Sequence, residues 1–237
     1  MDDLDAKQRQ GFMSTLKYTI LASKSHPLYD DLKNLGLPFY DLEKDDPFEG
    51  KEARYRDADI VFDFTLIDRD RKEKLLDILA LQMKAPVVSD LTCLWGEYFI
   101  EKYPMLKGAV ATAFWGPTNK KEVYAQDDSV FSGIQELFKL LKIEAKRTTG
   151  PGHGFIYPRT ISLLINEAFL ASEDQLASIE DMDTAMKYGV NYPHGLFEWH
   201  DKVGSRPILM LLDDLHHVTK DDRYRASTTL RKQANLN

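Results

Sequence analysis

A few side chains in this sequence have types and spacings that could support chemistry. His216 and His217 follow Asp213 and Asp214, and imidazole and carboxylate groups are common ligands of metal ions. Adjacent residues of a helix point to different sides, however, so this pattern gives no chelating face and we predict no metal site. Cys93 has no partner in the pattern, and we interpret it as a small buried residue and not as a nucleophile.

The composition is that of an acidic globular protein. Of its 237 residues, 43% are hydrophobic and 29% are charged, which suits one or two domains with buried cores. The net charge of -7 and the pI near 5.4 argue against nucleic acid or an anionic membrane as a partner. A single cysteine allows no intramolecular disulfide, and no apolar stretch approaches the roughly 20 residues that span a bilayer. The polar N-terminus lacks the core of a signal peptide, so we expect a soluble cytoplasmic protein.

The first part of the chain alternates short apolar runs with amphipathic segments. Strand-like runs occupy 17–22, 38–42, 60–65, 86–89, 108–115, 122–125 and 143–146, and helix-like segments occupy 28–35, 69–83 and 130–141. Such alternation predicts a mainly parallel sheet with helices on both faces.

The pattern changes at 148–154 (TTGPGHG), where three glycines and a proline are typical of a linker. The remainder has helical periodicity, at 157–170, in a helix that Ser178 caps and Gly189 ends, at 206–218, and in a shorter C-terminal segment. We therefore predict two domains, an α/β domain at residues 14–149 and an all-α domain at residues 150–237.

The helical part contains an ordered series of motifs. Residues 166–168 read NEA, 180–187 read EDMDTAMK, Tyr192-Pro193 follows, and then Phe197-Glu198. In this order and spacing they resemble the helical C-terminal domain of 3-hydroxyacyl-CoA dehydrogenases. The first half resembles the same family more faintly, in 88–94 (VSDLTCL) and 114–117 (FWGP).

The resemblance implies a reduced Rossmann-like N-terminal domain and an all-α C-terminal domain that pairs into a homodimer. It also implies an NAD-dependent oxidoreductase that acts on 3-hydroxyacyl-CoA in fatty acid metabolism. The family's glycine-rich cofactor turn matches 22–27 (ASKSHP), where Ala22, Lys24 and Pro27 replace the glycines. Side chains at these positions would crowd the pyrophosphate, and we predict no strong binding of NAD(H).

Some contacts with an anion could remain at this turn. The candidate cofactor-binding residues are Ser23, Lys24, Ser25 and Asp41. The first three lie before a helix N-terminus, which attracts anions, although a plain strand–helix turn is the alternative. Asp41 matches the acid that binds the cofactor ribose, or is an ordinary turn residue.

The family's catalytic residues are largely replaced. Ala113 stands at the histidine position, Ala125 at the glutamate position and Pro158 at the asparagine position. Thr92, or Cys93 beside it, can supply the family's hydroxyl-bearing residue. Alanine cannot accept a proton, so the family's general base is absent.

Two histidines are candidate replacements for the missing base, with an ordinary loop or surface histidine as the alternative for each. His153 lies in the linker and His194 follows Tyr192-Pro193, and the resemblance implies that both lie near the domain interface. The basic run Arg69, Arg71, Lys72 and Lys74 predicts a solvated helix face, or a contact with the phosphates of coenzyme A.

Two hypotheses about function follow. The first is an NAD-dependent 3-hydroxyacyl-CoA oxidoreductase with an unusual base. The second is a catalytically inactive homologue that binds acyl-CoA or serves as a dimeric assembly protein. In either case we predict a homodimer whose interface lies within 157–218, because the apolar positions there exceed what one small helical domain should bury.

Overall fold

The computed structural model describes residues 16–42 and 57–236, and its first part is a twisted sheet covered by helices. The strands are β1 (Tyr18–Ala22), β2 (Phe39–Asp41), β3 (Ile60–Phe64), β4 (Val87–Asp90), β5 (Leu106–Val110), β6 (Lys120–Ala125) and β7 (Glu144–Arg147). The helices of this part are α1 (Tyr29–Lys33), α2 (Arg69–Gln82), α3 (Gly96–Lys102) and α4 (Asp128–Leu140).

Within the described residues the strands form one sheet in the order β2-β1-β3-β4-β5-β6-β7. The strands from β2 to β5 are parallel, β6 is antiparallel to β5, and β7 is parallel to β6. Strands β1 and β3 are buried at every position, as expected for parallel strands with helices on both faces. After β1 the chain forms β2 on one side of β1 and then β3 on the other side. The carboxyl ends of β1 and β3 therefore form a topological switch point of the sheet.

The second part of the chain is helical. It consists of α5 (Tyr157–Glu173), α6 (Ile179–Thr184), a π-helical turn (Ala185–Gly189), α7 (Leu196–Val203), α8 (Ser205–Thr219), a 3₁₀ turn (Asp222–Tyr224) and α9 (Thr228–Leu236). No helix in the described part of the chain is long and apolar enough to cross a bilayer. The predicted fold class, a Rossmann-like α/β domain followed by an all-α domain, is confirmed. We call these the sheet domain and the helical domain.

The two domains share one apolar cluster. Leu66, Cys93 and Phe114, at the carboxyl ends of β3, β4 and β5, pack with residues of the helical domain such as Ile165 and Leu211. Cys93 is buried, as predicted, and its thiol donates a hydrogen bond to a backbone carbonyl of α8. The helical domain therefore packs against the sheet edge at which Rossmann-like proteins place their functional sites.

Several element boundaries differ from the sequence prediction. The strand predicted at 108–115 ends at Val110, because the Thr112 N–H leaves the sheet and bonds the Asp90 carboxylate at 2.9 Å. The Ser178 hydroxyl accepts from Asp181 N–H as the capping box predicts. Gly189 does not end that helix in a left-handed conformation: the π-helical turn follows, and Asn191 has the positive φ of 59°.

The prediction of a solvated face for the basic run fails at Lys72, whose side chain is completely buried. Its Nζ lies 2.7 Å from Asp63 Oδ2 on β3, and donates to Thr65 Oγ1 at 2.8 Å and to Ser89 Oγ at 3.2 Å. A buried ammonium requires a counter-charge and hydrogen-bond acceptors, which these strands supply. Lys72 is therefore unavailable to the phosphates of a ligand.

Candidate functional site

The site that corresponds to the cofactor cleft of Rossmann-like proteins begins at the turn after β1. The hydroxyls of Ser23 and Ser25 are 2.9 Å apart. Ser23 Oγ accepts the Leu66 N–H at 3.1 Å, and Ser25 Oγ donates to the Leu66 carbonyl at 3.4 Å. Two of the predicted cofactor ligands therefore tie the turn to the loop after β3. The third, Lys24, is exposed to solvent.

His26 fills the interior of the same turn and is only 2% exposed. Its Nε2 lies 3.2 Å from Asp90 Oδ2 and 3.2 Å from Thr112 Oγ1. Its Nδ1 accepts the Leu28 N–H at 3.1 Å. Because Nδ1 accepts a hydrogen bond, we assign the ring proton to Nε2, where it faces Asp90 and Thr112.

Asp90, at the end of β4, is the centre of this buried network. Besides His26, it accepts hydrogen bonds from Thr92 N–H at 2.9 Å and Thr92 Oγ1 at 2.6 Å, and from the N–H and hydroxyl of Thr112. Burial by itself raises the pKa of this carboxyl, but the hydrogen bonds from His26 and from the two threonine hydroxyls outweigh it, so the pKa lies well below the usual value. Asp90 is therefore a fixed buried anion.

Thr92, the predicted hydroxyl-bearing site residue, belongs to this network. It is 0% exposed, donates to Asp90, and accepts the Ala113 N–H at 3.2 Å. The Thr92 hydroxyl thus uses its donor and one acceptor site within the protein. Ala113 itself is buried beside it, in the core cluster that joins the domains.

The residue beside the Ala113 end of β5 is Glu122 and not Ala125. Ala125 pairs with Gly108 near the opposite end of β5, whereas the Glu122 carbonyl accepts the Ala111 N–H. The Glu122 carboxylate accepts the N–H groups of Ile156 and Tyr157 at 3.1 and 2.8 Å, and so caps α5.

Asp41, the predicted ribose ligand, is 7% exposed at the end of β2. Its Oδ2 accepts the Tyr29 hydroxyl at 2.7 Å, a contact from α1 across to the neighbouring strand. Pro158, at the position of the family's asparagine, lies in the first turn of α5, where a missing N–H costs nothing.

His153 is buried between the domains. Its ring stacks on Trp95 at 6.1 Å between centroids, and its Nε2 lies 2.7 Å from Asp214 Oδ2 on α8 without the direction of a hydrogen bond. Asp214 also accepts two hydrogen bonds from Arg69, both at 2.8 Å, and the Trp95 N–H at 3.1 Å. This cluster holds the domains together, and His153 belongs to it.

His194 lies in an aromatic group on the helical domain. Its ring centroid is 5.2 Å from that of Trp115 and 5.7 Å from that of Trp199. The Trp199 indole N–H donates to the Tyr157 hydroxyl at 2.7 Å, and that hydroxyl donates to the Trp115 carbonyl at 2.9 Å. Both predicted replacement bases therefore contact the loops after β4 and β5, but each is packed against aromatic rings.

The fold defines the class as a Rossmann-like protein with a helical C-terminal domain. Residues 154–237 match the family model described as 3-hydroxyacyl-CoA dehydrogenase, C-terminal domain. The chain is 28% identical to the 3-hydroxybutyryl-CoA dehydrogenase of Clostridioides difficile, over 95% of this chain and 75% of that protein. It is 43% identical to the 3-hydroxyadipyl-CoA dehydrogenase of Escherichia coli strain K12, over 35% of this chain and only 18% of that protein.

A solved structure supports the fold. The (S)-3-hydroxybutyryl-CoA dehydrogenase of Ralstonia eutropha aligns with a TM-score of 0.67 over 94% of both chains, at 17% identity. Residues 154–237 thus match the C-terminal domain of 3-hydroxyacyl-CoA dehydrogenases, and the chain as a whole is similar to 3-hydroxybutyryl-CoA dehydrogenases.

The residues at the cofactor turn do not fit the dinucleotide that the family implies. A glycine cradle works by leaving room for phosphates against the backbone, whereas here Ala22, Lys24 and Pro27 stand at the glycine positions. The two serine hydroxyls of the turn bond to Leu66, and the His26 ring is buried against Asp90. The turn leads into α1, which has only five residues, so the helix dipole that would face a phosphate is short. The sequence comparison noted the lost glycines but missed His26 and Asp90.

Proposed function

We propose that this chain is a family member without dehydrogenase activity, which keeps the two-domain body as a binding and assembly protein. The observation that carries the proposal is the buried His26–Asp90–Thr112 network at the turn that matches the family's glycine-rich turn, where no glycine remains. The same network includes Thr92 and, through it, the backbone of Ala113. One set of hydrogen bonds therefore connects the cofactor turn with Ala113, which stands at the position of the family's catalytic histidine.

Assembly is supported by the surface of the helical domain. Most apolar residues of α5 and α8 are buried within the chain. The exposed apolar residues predicted over 157–218 are therefore limited to residues 176–190. The exposed apolar residues there are Leu176 at 78%, Ile179 at 52%, Tyr188 at 83% and Val190 at 56%. Exposed apolar residues concentrated in one short segment of the chain are typical of a protein–protein interface, and a homodimer is the assembly that this segment supports best.

An oxidoreductase with a different base is the second candidate, and Lys121 is the residue that favours it. Its Nζ donates to the Phe114 carbonyl, next to Ala113. Burial lowers the pKa of this lysine, against an opposing effect of the Asp90 charge. A lysine with a lowered pKa is one way to obtain a general base near neutrality.

A steady-state assay with acetoacetyl-CoA and NADH separates the two candidates. The variants are His153→Ala, His194→Ala and Lys121→Met, and Lys120→Met on the exposed part of β6 is the matched control. The proposal predicts no turnover above buffer for any of these proteins, nor for Ala113→His, which restores an imidazole without restoring the cofactor turn. Wild-type turnover that one of the three variants abolishes, while Lys120→Met keeps it, would establish a replacement base and refute the proposal.

A further inference from the structure

A cavity of about 280 Å³ lies between the domains beside the closed cofactor turn. Ser23, Ser25 and the loop after β3 line it, together with Arg71 of α2 and Arg206 of α8, so both domains contribute to its wall. Small-molecule sites typically have volumes of roughly 300–1,000 Å³. A ligand that fits here is therefore much smaller than a dinucleotide.

The described lining of the cavity is positively charged. The described residues that line it include two arginines and no acidic side chain. In the described part of the chain, no hydrogen bond or ion pair engages the Arg206 side chain. Arg71 contacts only Asp68, at 3.4 Å, and both side chains of that pair are more than half exposed, where an ion pair contributes little. Both arginines that line the cavity thus have guanidinium N–H donors that are available to a ligand.

The remainder of the lining is apolar. Leu42, Leu66, Ile67 and Leu75 lie along the cavity beside the arginines. Guanidinium groups recognise phosphate and carboxylate oxygens through paired hydrogen bonds, and the leucines offer a surface to a small apolar body. We infer that this cavity is a binding site for a small amphipathic oxyanion, a phosphate monoester or a carboxylate, that Arg71 and Arg206 hold between the domains.

The inference rests on the proposed function in one respect, because it assigns the cleft to a ligand other than the dinucleotide. It does not use the glycine positions or the former catalytic residues. The anion is held instead by two side chains that come from different domains, so its binding also stabilises the contact between them.

Isothermal titration calorimetry of the full chain with phenyl phosphate tests the site. Inorganic phosphate lacks the apolar body, and benzoate keeps the body with a smaller charge. The variants are Arg206→Gln and Arg71→Gln, and the control is Arg147→Gln on β7, at the sheet edge farthest from β2 and β1. Because Arg206 and Arg71 are exposed, their replacement should leave the fold intact, which circular dichroism verifies.

We expect saturable binding of phenyl phosphate that is tighter than that of inorganic phosphate and weakens with salt. Each cavity variant should lose about tenfold or more in affinity, the usual effect of removing a charge-assisted hydrogen bond, while Arg147→Gln binds as the wild type does. Tighter binding of phenyl phosphate than of benzoate identifies a phosphate monoester, and the reverse identifies a carboxylate.

No saturable binding of either phenyl compound, or equal binding by Arg206→Gln and Arg147→Gln, would overturn the inference. The proposed function fails separately. Turnover with NADH would refute it even if phenyl phosphate binds through the arginines, and loss of phenyl phosphate binding leaves the absence of turnover unaffected.

Discussion

At the scale of single residues, the proposed function depends on a histidine that the sequence did not single out. His26 is buried beneath the turn after β1 and bonds Asp90, which accepts hydrogen bonds from Thr92 and Thr112. A buried carboxylate with several donors is stable only while those donors remain. The network therefore stabilises the fold at the position where a dehydrogenase would place its cofactor.

The first residue-scale prediction concerns Asp90→Asn and acid stability. The pKa of Asp90 is depressed in the folded state, so its contribution to stability is complete above the unfolded pKa of about 4 and is lost as the pH falls below that value. Urea unfolding from pH 6 to pH 2 should therefore show a shallower loss of stability in Asp90→Asn than in the wild type. Asp128→Asn, at a carboxylate that is 91% exposed, is the control and should keep the wild-type slope. Identical slopes for all three proteins would contradict the prediction.

The second residue-scale prediction concerns the buried pair of Lys72 and Asp63, both 0% exposed. Lys72→Met leaves the Asp63 charge without its partner and should lower the free energy of unfolding by about 3–5 kcal/mol. The double variant Lys72→Met/Asp63→Asn removes the uncompensated charge and should recover part of that loss. Lys74→Met, on the exposed side of the same helix, should change stability by less than about 0.5 kcal/mol. An equal effect of the Lys72 and Lys74 variants in urea titrations would refute the pairing.

At the scale of elements, one contact that joins the two domains is a cap on α5 from β6. The Glu122 carboxylate accepts two N–H groups at the start of α5, where a negative charge also interacts favourably with the helix dipole. Helix α5 has no side-chain cap from its own N-cap residue. The strand therefore sets the position at which the helical domain begins.

We predict that Glu122→Gln lowers the free energy of unfolding by about 1 kcal/mol, since it keeps the shape and removes the charge from the cap. Glu144→Gln on β7, whose ion pair with Lys120 is more than half exposed, is the control and should have little effect. Chemical unfolding of both variants measures the difference. Glu122 would have no capping role if the two substitutions were equally silent.

Much of the fold could be predicted from the sequence, because buried strands and amphipathic helices leave periodic patterns. The strands at 60–65 and 17–22 and the helices at 69–83 and 206–218 lie within one or two residues of the observed elements. Helix α3 was missed because Gly96 opens it and it has only seven residues. Lys72 was misassigned because the partners that bury it come from strands that are distant in sequence.

The site was less predictable for a related reason. The lost glycines and the missing histidine are visible in the sequence, but what replaces them depends on which side chains the sheet edge brings together. His26 and Asp90 are 64 residues apart, and Glu122 and Tyr157 are 35 apart. The boundary at residues 149 and 150 remains a prediction, as do the roles of Asp41, His153 and His194.

At the scale of the whole molecule, the exposed apolar surface of the helical domain predicts a homodimer. Ile179→Asp/Val190→Asp places two charges in that surface and should convert a dimer into a monomer of 27.2 kDa, because a buried unpaired charge is costly. Leu81→Asp, at a residue of the sheet domain that is 88% exposed, is the control and should leave the dimer intact. Light scattering gives the masses, and a monomeric wild-type protein would refute the dimer.

The last prediction also concerns the whole molecule. We propose that the chain keeps the two-domain fold of a dehydrogenase but that its own side chains prevent a dinucleotide from binding at the turn after β1. Titration of the wild-type protein with NADH, followed by nucleotide and tryptophan fluorescence, tests that claim most directly. With His26 buried against Asp90 and the serine hydroxyls bonded to Leu66, we predict no saturable change at NADH concentrations up to about 1 mM, which corresponds to a binding free energy weaker than about -4 kcal/mol. A dissociation constant in the micromolar range would show that the turn opens to admit the cofactor, and would contradict the account.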